Sequence, residues 1–569
     1  MKKMLLALLA AVALLAASSD GLSQTLPGGD AKPLVTISFS GYDEVLADID
    51  FVGKLGGNPA LGETLEDMLK EKIGGEGLVG LDASRPWGAV VQPGGAMGFS
   101  VVGFVPVTDL DALMGLLKVP ETGEPIAQKE NGIYKIVTPD GPTISIAQKG
   151  GWAFIVTEPD ALDNTPADPV ALLGGLNQKY DLAARVSIQS IPAPLREKFK
   201  DALKMGAAAG MRRMPGESEE EYKIRTGVAR TMVDRIASLV DELDEVLLGV
   251  AIDRTAGTSY LDFEITAVEG TRTAEQFAAV KSGPTRFGGL DIPGAALIVR
   301  GVGTLTDDDV TDYKALIGNI RTMAEKELNK QDLTPAELQL ASQMVDDLFD
   351  WIDANVEKRT SDVGLTVLLK PDGITAVGGA TIAEGAKLDK LIKQLIELAI
   401  EEDPDIADVL AMDAEVYDGV QFHILSVPVP DEEAVRFFGE NLEVVVGIGD
   451  DTLYIAAGKD AVKTLKKVMD DSKAQAGKQV EPLLISVAAT PIAKFAAEVA
   501  EGLPAFMAAG MAAQLEQSGG KDHLKITAEP TTGGNGIRVR VEIEEGLLKL
   551  LGGLSNMLGM MGAEDEAPF

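Results

Sequence analysis

His423 and His523 are the only imidazoles in 569 residues, and cysteine is absent. This composition removes thiol catalysis, thiolate metal sites and disulfides. It also removes any zinc centre built on several histidines, the HExxH arrangement included. Each histidine sits in a strand-like run: Phe422 and Ile424 flank His423, while Leu524, Lys525 and Ile526 follow His523. A Ser-His-Asp triad on either would need an exposed nucleophile, and no G-x-S-x-G elbow occurs. Ala456-Ala457-Gly458-Lys459-Asp460 imitates the end of a phosphate-binding loop without its first glycine or its hydroxyl. Asp307-Asp308-Asp309 gathers three carboxylates but lacks the spaced oxygen ligands and glycine of a calcium loop. Acids at that place suit the start of a helix. The sequence therefore names no catalytic, cofactor-binding or metal-ligating residue, and both histidines read as structural or surface residues.

The elements that would position a site are written twice. Ala208-Ala209-Gly210-Met211 recurs as Ala508-Ala509-Gly510-Met511, and Val186–Pro192 is echoed by Ile485–Pro491, each about 300 residues on. In the first copy Leu34–Ser40 alternates as a strand and a helix carries Val45, Ile49 and Val52. Strands around Trp87–Val91 and Gly98–Val105 then flank a Gln92-Pro93-Gly94-Gly95 turn. A helix follows from Asp109, with Thr108 as its expected cap. The second copy answers with Ala296–Val299, helices over Asp307–Lys358 broken at Thr334-Pro335, and a Lys370-Pro371-Asp372-Gly373 turn between strands. Its next helix carries Leu388-Asp389-Lys390-Leu391 against Leu110–Leu113, at the same offset as the two turns.

Further strands match in order. Gly132–Val137, the Pro139-Asp140-Gly141-Pro142 turn, Thr143–Ala147 and Trp152–Val156 correspond to Val420–Val427, Leu442–Ile448 and Leu453–Ala457. Val246–Asp253 with Ser259–Ala267 corresponds to Leu524–Glu529 with Ile537–Ile543. The alternation of Leu261, Phe263 and Ile265 predicts a sheet whose apolar face is covered by helices. The expected fold is α+β: two pseudo-repeated halves, 33–290 and 291–555, each an antiparallel sheet with helices packed on one face, and a tail over 556–569.

Lys2 and Lys3 precede an apolar run from Leu5 to Ala17 and small residues to Ser19. That order reads as a signal peptide over 1–19, too short to span a bilayer, and predicts a secreted or periplasmic protein. No other apolar run is long enough to cross a membrane, so no transmembrane segment is expected once the signal is removed. Fifty-one basic against 88 acidic residues give a net charge of −37, which repels phosphate backbones and excludes nucleic acid as a partner. Arg212, Arg213, Lys223, Arg225, Arg230 and Arg235 interleave with acids over Pro215–Glu245, the pattern of a salt-bridged surface helix. Ala-, Gly- and Met-rich helices at Met205–Met214 and Phe506–Leu515, with the leucines and methionines of Gly546–Gly562, read first as core. Their adaptable side chains also suit an apolar groove or a docking face.

Arg85-Pro86-Trp87-Gly88 with Val105-Pro106-Val107-Thr108-Asp109-Leu110 resembles secreted, cysteine-free proteins of planctomycete-type bacteria over roughly residues 80–160. The resemblance implies export and an α+β repeat build, and it supplies no catalytic residues. The function expected is a non-catalytic binding or structural protein of the cell envelope, with an envelope protein or an apolar ligand as partner. The alternatives are a hydrolase using Ser or paired carboxylates, and a lipid carrier.

Overall fold

The computed structural model describes residues 32–73, 77–93, 99–118, 124–137 and 143–562. The signal peptide, the Gly94-Gly95 half of the first turn, the Pro139–Pro142 turn and the tail beyond 562 lie outside the described residues. The chain is mixed helix and antiparallel sheet in two compact units, neither continuous in sequence. The first draws on Met1–Lys200, Leu243–Thr266 and Glu542–Phe569; the second on Asp201–Glu242 and Ala267–Val541.

In the first unit Val35–Phe39 is the central strand, paired antiparallel with Trp87–Pro93 on one side and Leu182–Ser187 on the other. Beyond Trp87–Pro93 the sheet runs through Phe99–Pro106, Trp152–Val156, Ile144–Lys149 and Ile133–Ile136 to Gln128–Glu130. Beyond Leu182–Ser187 it runs to Leu243–Asp253 and then Thr258–Ala267. The helices Tyr42–Leu55 and Glu545–Gly562 meet at two glycines. A Cβ on Gly56 would stand 2.2 Å from the carbonyl carbon of Gly552, so neither position has room for one.

The second unit is built around Leu297–Thr304, paired antiparallel with Thr360–Lys370 and Leu483–Ala488. One wing continues through Gly373–Thr381, Thr452–Gly458, Asn441–Ile448 and Val420–Pro428 to Leu410–Tyr417. The other continues to His523–Pro530, from which Thr531 turns the chain into Gly536–Glu544. Phe287, Val377, Phe422, Val445 and Leu465 form the main core, under the helix Ala461–Ala474.

Local signals decide the helix ends. Asp307–Leu328 and Pro335–Glu357 each begin with a capping box, Thr306 with Asp309 and Thr334 with Glu337, so the break falls at Thr334-Pro335 as the sequence requires. At the helix Leu110–Gly115 the cap is Asp109 instead of Thr108. The Asp109 carboxylate accepts the Ala112 N–H at 3.0 Å, while the Thr108 N–H is spent on the Gly80 carbonyl.

The faces of the sheets differ from the expectation of a single covered side. In the first unit Trp87, Val105, Ile144 and Ile155 are buried on one face, and Val90, Phe104, Phe154 and Val156 on the other. This wing is covered on both sides, which is why Trp87–Val91 and Val101–Val105 read as unbroken apolar runs. On the opposite wing the alternating set Leu261 and Phe263 is exposed, and Asp262 between them is buried. The Tyr180 hydroxyl donates to Asp262 at 2.9 Å, and Gly249 makes room for the Tyr180 ring, from which a Cβ would stand 2.5 Å. A satisfied buried carboxylate and a missing side chain thus turn the polar side inward.

Candidate functional site

His423 lies on the strand Val420–Pro428 and is 3% exposed. The helix Gly385–Glu402 brings Asp389 to its ring, with Asp389 Oδ1 2.8 Å from Nε2. On the neighbouring strand Leu410–Tyr417 the register shifts between Ala411 and Glu415, and Asp413 takes a left-handed φ of 51°. That bulge turns the Asp413 N–H onto Nδ1 of His423 at 3.2 Å. Nδ1 is therefore an acceptor, the ring proton sits on Nε2, and Nε2 donates to Asp389. Lys393 closes the group, 2.9 Å from Asp389 Oδ2 and 2.8 Å from Asp413 Oδ1. Burial would raise the Asp389 carboxyl, but Lys393 and His423 hold it below the usual carboxylate value.

Asp389, Asp413 and His423 offer three ligand atoms within 4.8 Å of one another. A metal there would have to strip the Nε2 proton or take Nδ1 from a backbone donor, and in either case displace the Lys393 ammonium. The donor set is already saturated, so the cluster stitches helix to bulge and fits a cation poorly.

His523 opens the strand beside Leu483–Ala488 and lines a cleft of about 720 Å³ in the second unit. Ala488 stands directly across from His523, so Ser486, two residues along, shares its face. Ser486, His523 and Asp522 thus have the residue types of a triad, but not its geometry. Asp522 Oδ1 is 3.6 Å from His523 Nδ1, beyond hydrogen-bond reach, and Asp522 Oδ2 accepts the Thr490 N–H at 2.6 Å. The carboxylate serves the first turn of the helix Ala489–Val499. Lys494, also in the cleft wall, is paired with Glu516 at 2.5 Å.

The remaining sequence candidates are scaffold. Asp307 meets Arg359, Asp308 meets Arg272 and Asp309 closes the Thr306 capping box, so the three carboxylates point to separate partners. Lys459 donates to the Asp372 carbonyl at 2.6 Å and braces the Lys370–Gly373 turn. Of the basic set Arg212, Arg213, Lys223, Arg225, Arg230 and Arg235, three are salt-bridged to described residues: Arg225 to Glu217, Lys223 to Glu219 and Arg235 to Glu242. Arg85 is tied to Asp82 at 2.7 Å and to the Gly151 carbonyl, and it stacks 4.4 Å over Trp152. The Ala/Gly/Met helices are only partly core: Ala512 and Leu515 are buried. Leu503, Phe506 and Met507 are exposed on Gly502–Glu516, as are Met205 and Met214. In the final helix Leu548 is buried and Leu551 exposed; its side chains from 554 on lie outside the described residues.

Two features escaped sequence reasoning. In the first unit Asp48, 3% exposed, lies beside Asp181, with Arg254 Nε 3.4 Å away. Asp181 Oδ2 accepts the Ile252 N–H at 2.8 Å. Neither Asp48 oxygen has a donor while both carboxyls are ionised, so one proton shared with Asp181 satisfies the pair. Burial and the Asp181 charge, opposed by Arg254, push Asp48 up to about 7. The signal was an aspartate between Val45 and Val52 on the apolar stripe of Tyr42–Leu55.

The second feature is a bared apolar sheet face. Gly249 and Asp262 face Tyr180, so their neighbours Leu248, Val250, Leu261 and Phe263 share the opposite face. Leu182, directly across from Val250, extends it. These five side chains are 37–49% exposed. The second unit bares Val363, Leu365 and Ile455, with Leu365 and Ile455 both opposite Gly378.

No protein-family model, curated protein or solved structure matches this chain. Among the described residues no helix is long and apolar enough to cross a membrane.

Proposed function

We propose that this chain is a non-catalytic binding protein of the cell envelope whose ligand is apolar. The observation that carries the reading is the face formed by Leu182, Leu248, Val250, Leu261 and Phe263. Neighbouring strands lie about 4.8 Å apart, so three strands make a band about 10 Å wide. A band of that size suits one acyl chain better than a protein interface, which needs about 800 Å² from each partner. Export to the periplasm or beyond rests on Lys2, Lys3 and the apolar run to Ala17. The likeness to secreted planctomycete-type proteins points the same way.

The two units are read as copies of one module. The order of strand pairing outward from Val35–Phe39 is the order outward from Leu297–Thr304, strand for strand. A hydrolase on paired carboxylates is the second reading, and Asp48 with Asp181 is the pair that favours it. The burial of Asp48 weighs against it, because a substrate must reach both carboxyls.

Titration of the full chain with a fluorescent fatty acid tests the binding reading. Saturable binding that is lost in the Leu248→Glu, Phe263→Glu double variant is expected. Absence of binding, or equal binding by the variant, contradicts it.

A further inference from the structure

We propose that a second cavity, at one end of the second unit's sheet, is a binding site for a molecule bearing a phosphate or sulfate group. This site is separate from the apolar face of the first unit and does not depend on it. The cavity holds about 570 Å³ where Gly283–Thr285 passes the ends of Leu297–Thr304 and Thr360–Lys370.

Three cations reach it in a chain where acids far outnumber bases: Lys281, Arg286 and Lys358. The carboxylates in the wall are Asp362 and Asp451. Asp362 is buried and spent on the chain itself. It accepts the Thr285 hydroxyl at 2.9 Å and the Arg286 backbone N–H at 2.6 Å, which fixes the segment that carries Arg286. Asp451 pairs with the Arg286 guanidinium. Lys358 gives one N–H to the Ile382 carbonyl at 2.8 Å and keeps two. Lys281 is exposed and forms no ion pair with any described residue.

Thr304 and Thr360 face each other across the strand pair, and Ser282 and Ser361 stand beside them in the wall. These four hydroxyls make no hydrogen bond to other described residues. Ammonium groups and hydroxyls that can all donate suit a ligand group that only accepts. Among the described residues no aromatic ring lines the cavity, so recognition there rests on hydrogen-bond donors and charge, not on stacking. The volume falls within the range of ordinary ligand pockets and well exceeds a bare oxyanion. The anionic group therefore belongs to a larger molecule.

Isothermal titration calorimetry of the full chain decides it, run at about 0.15 M salt, where acidic charges more than about 8 Å away are screened. The probes are inorganic phosphate, inorganic sulfate and glucose 6-phosphate. Glucose 6-phosphate should bind saturably and more tightly than inorganic phosphate. Phosphate binding above sulfate assigns a phosphate ester, and the reverse assigns a sulfate ester. Lys281→Glu should weaken binding at least about tenfold, the loss of one charge-assisted contact. Its unfolding midpoint should match the wild type, because Lys281 is exposed. Lys494→Ala, in the other cleft, should bind as the wild type does. No saturable heat with any probe, or undiminished binding by folded Lys281→Glu, overturns the proposal.

Discussion

Replacing the buried His423 ring with alanine strips a hydrogen-bond acceptor from the Asp413 N–H and a donor from Asp389 in a part-buried site. Unsatisfied buried groups cost about 1–3 kcal/mol each, so the urea midpoint should fall by a corresponding amount. Because Lys393 already neutralises the carboxylates, added Zn²⁺ or a chelator should leave that midpoint unchanged; a Zn²⁺-dependent rise would contradict the assignment. Asp48 gives a pH signature. Its carboxyl is raised to about 7 in the folded chain against about 3.9 unfolded, so the folded state keeps a proton that the unfolded state has lost. Stability from this group is full below about pH 4 and declines up to about pH 7. Asp48→Asn, which mimics the protonated form, should gain on the wild type in thermal unfolding between pH 5 and pH 8. An unchanged difference would contradict the shared proton. Little of this was legible beforehand. The sequence reads His423 as a structural or surface residue on a strand, and does not show that a bulge at Asp413 would saturate its ring.

Element boundaries were the most legible scale, because caps and turns are local. Thr334-Pro335 breaks a helix with a hydroxyl and a ring that stand in the sequence, and Thr334→Ala should cost about 1 kcal/mol by urea unfolding. Which face of a strand turns inward was not local. Leu261 and Phe263 predict burial by period alone, yet Tyr180, some 80 residues away, claims Asp262 and reverses the strand. The close approach of Gly56 and Gly552 was equally hidden, since their partner helices stand at opposite ends of the chain. Gly552→Ala should force the two helices apart and cost about 1–3 kcal/mol. An unaltered unfolding midpoint would show that the helices do not meet there.

At the scale of the molecule, two runs of sequence predict two halves, whereas each compact unit is discontinuous in sequence: Asp201–Glu242 belongs to the second and Glu542–Phe569 to the first. Periodicity reports what each element needs covered and is silent on which element covers it. The apolar faces were legible as stripes and misassigned as cores, because burial depends on what lies above a sheet. A lone exposed leucine means little; five apolar side chains on three adjacent strands are the reason to infer an apolar ligand. Native mass spectrometry of the chain, gently isolated from its native cells, tests that inference most directly. The account predicts a bound lipid-sized adduct on the wild type that is missing from the Leu248→Glu, Phe263→Glu variant. A wild type that flies repeatedly without an adduct would contradict it.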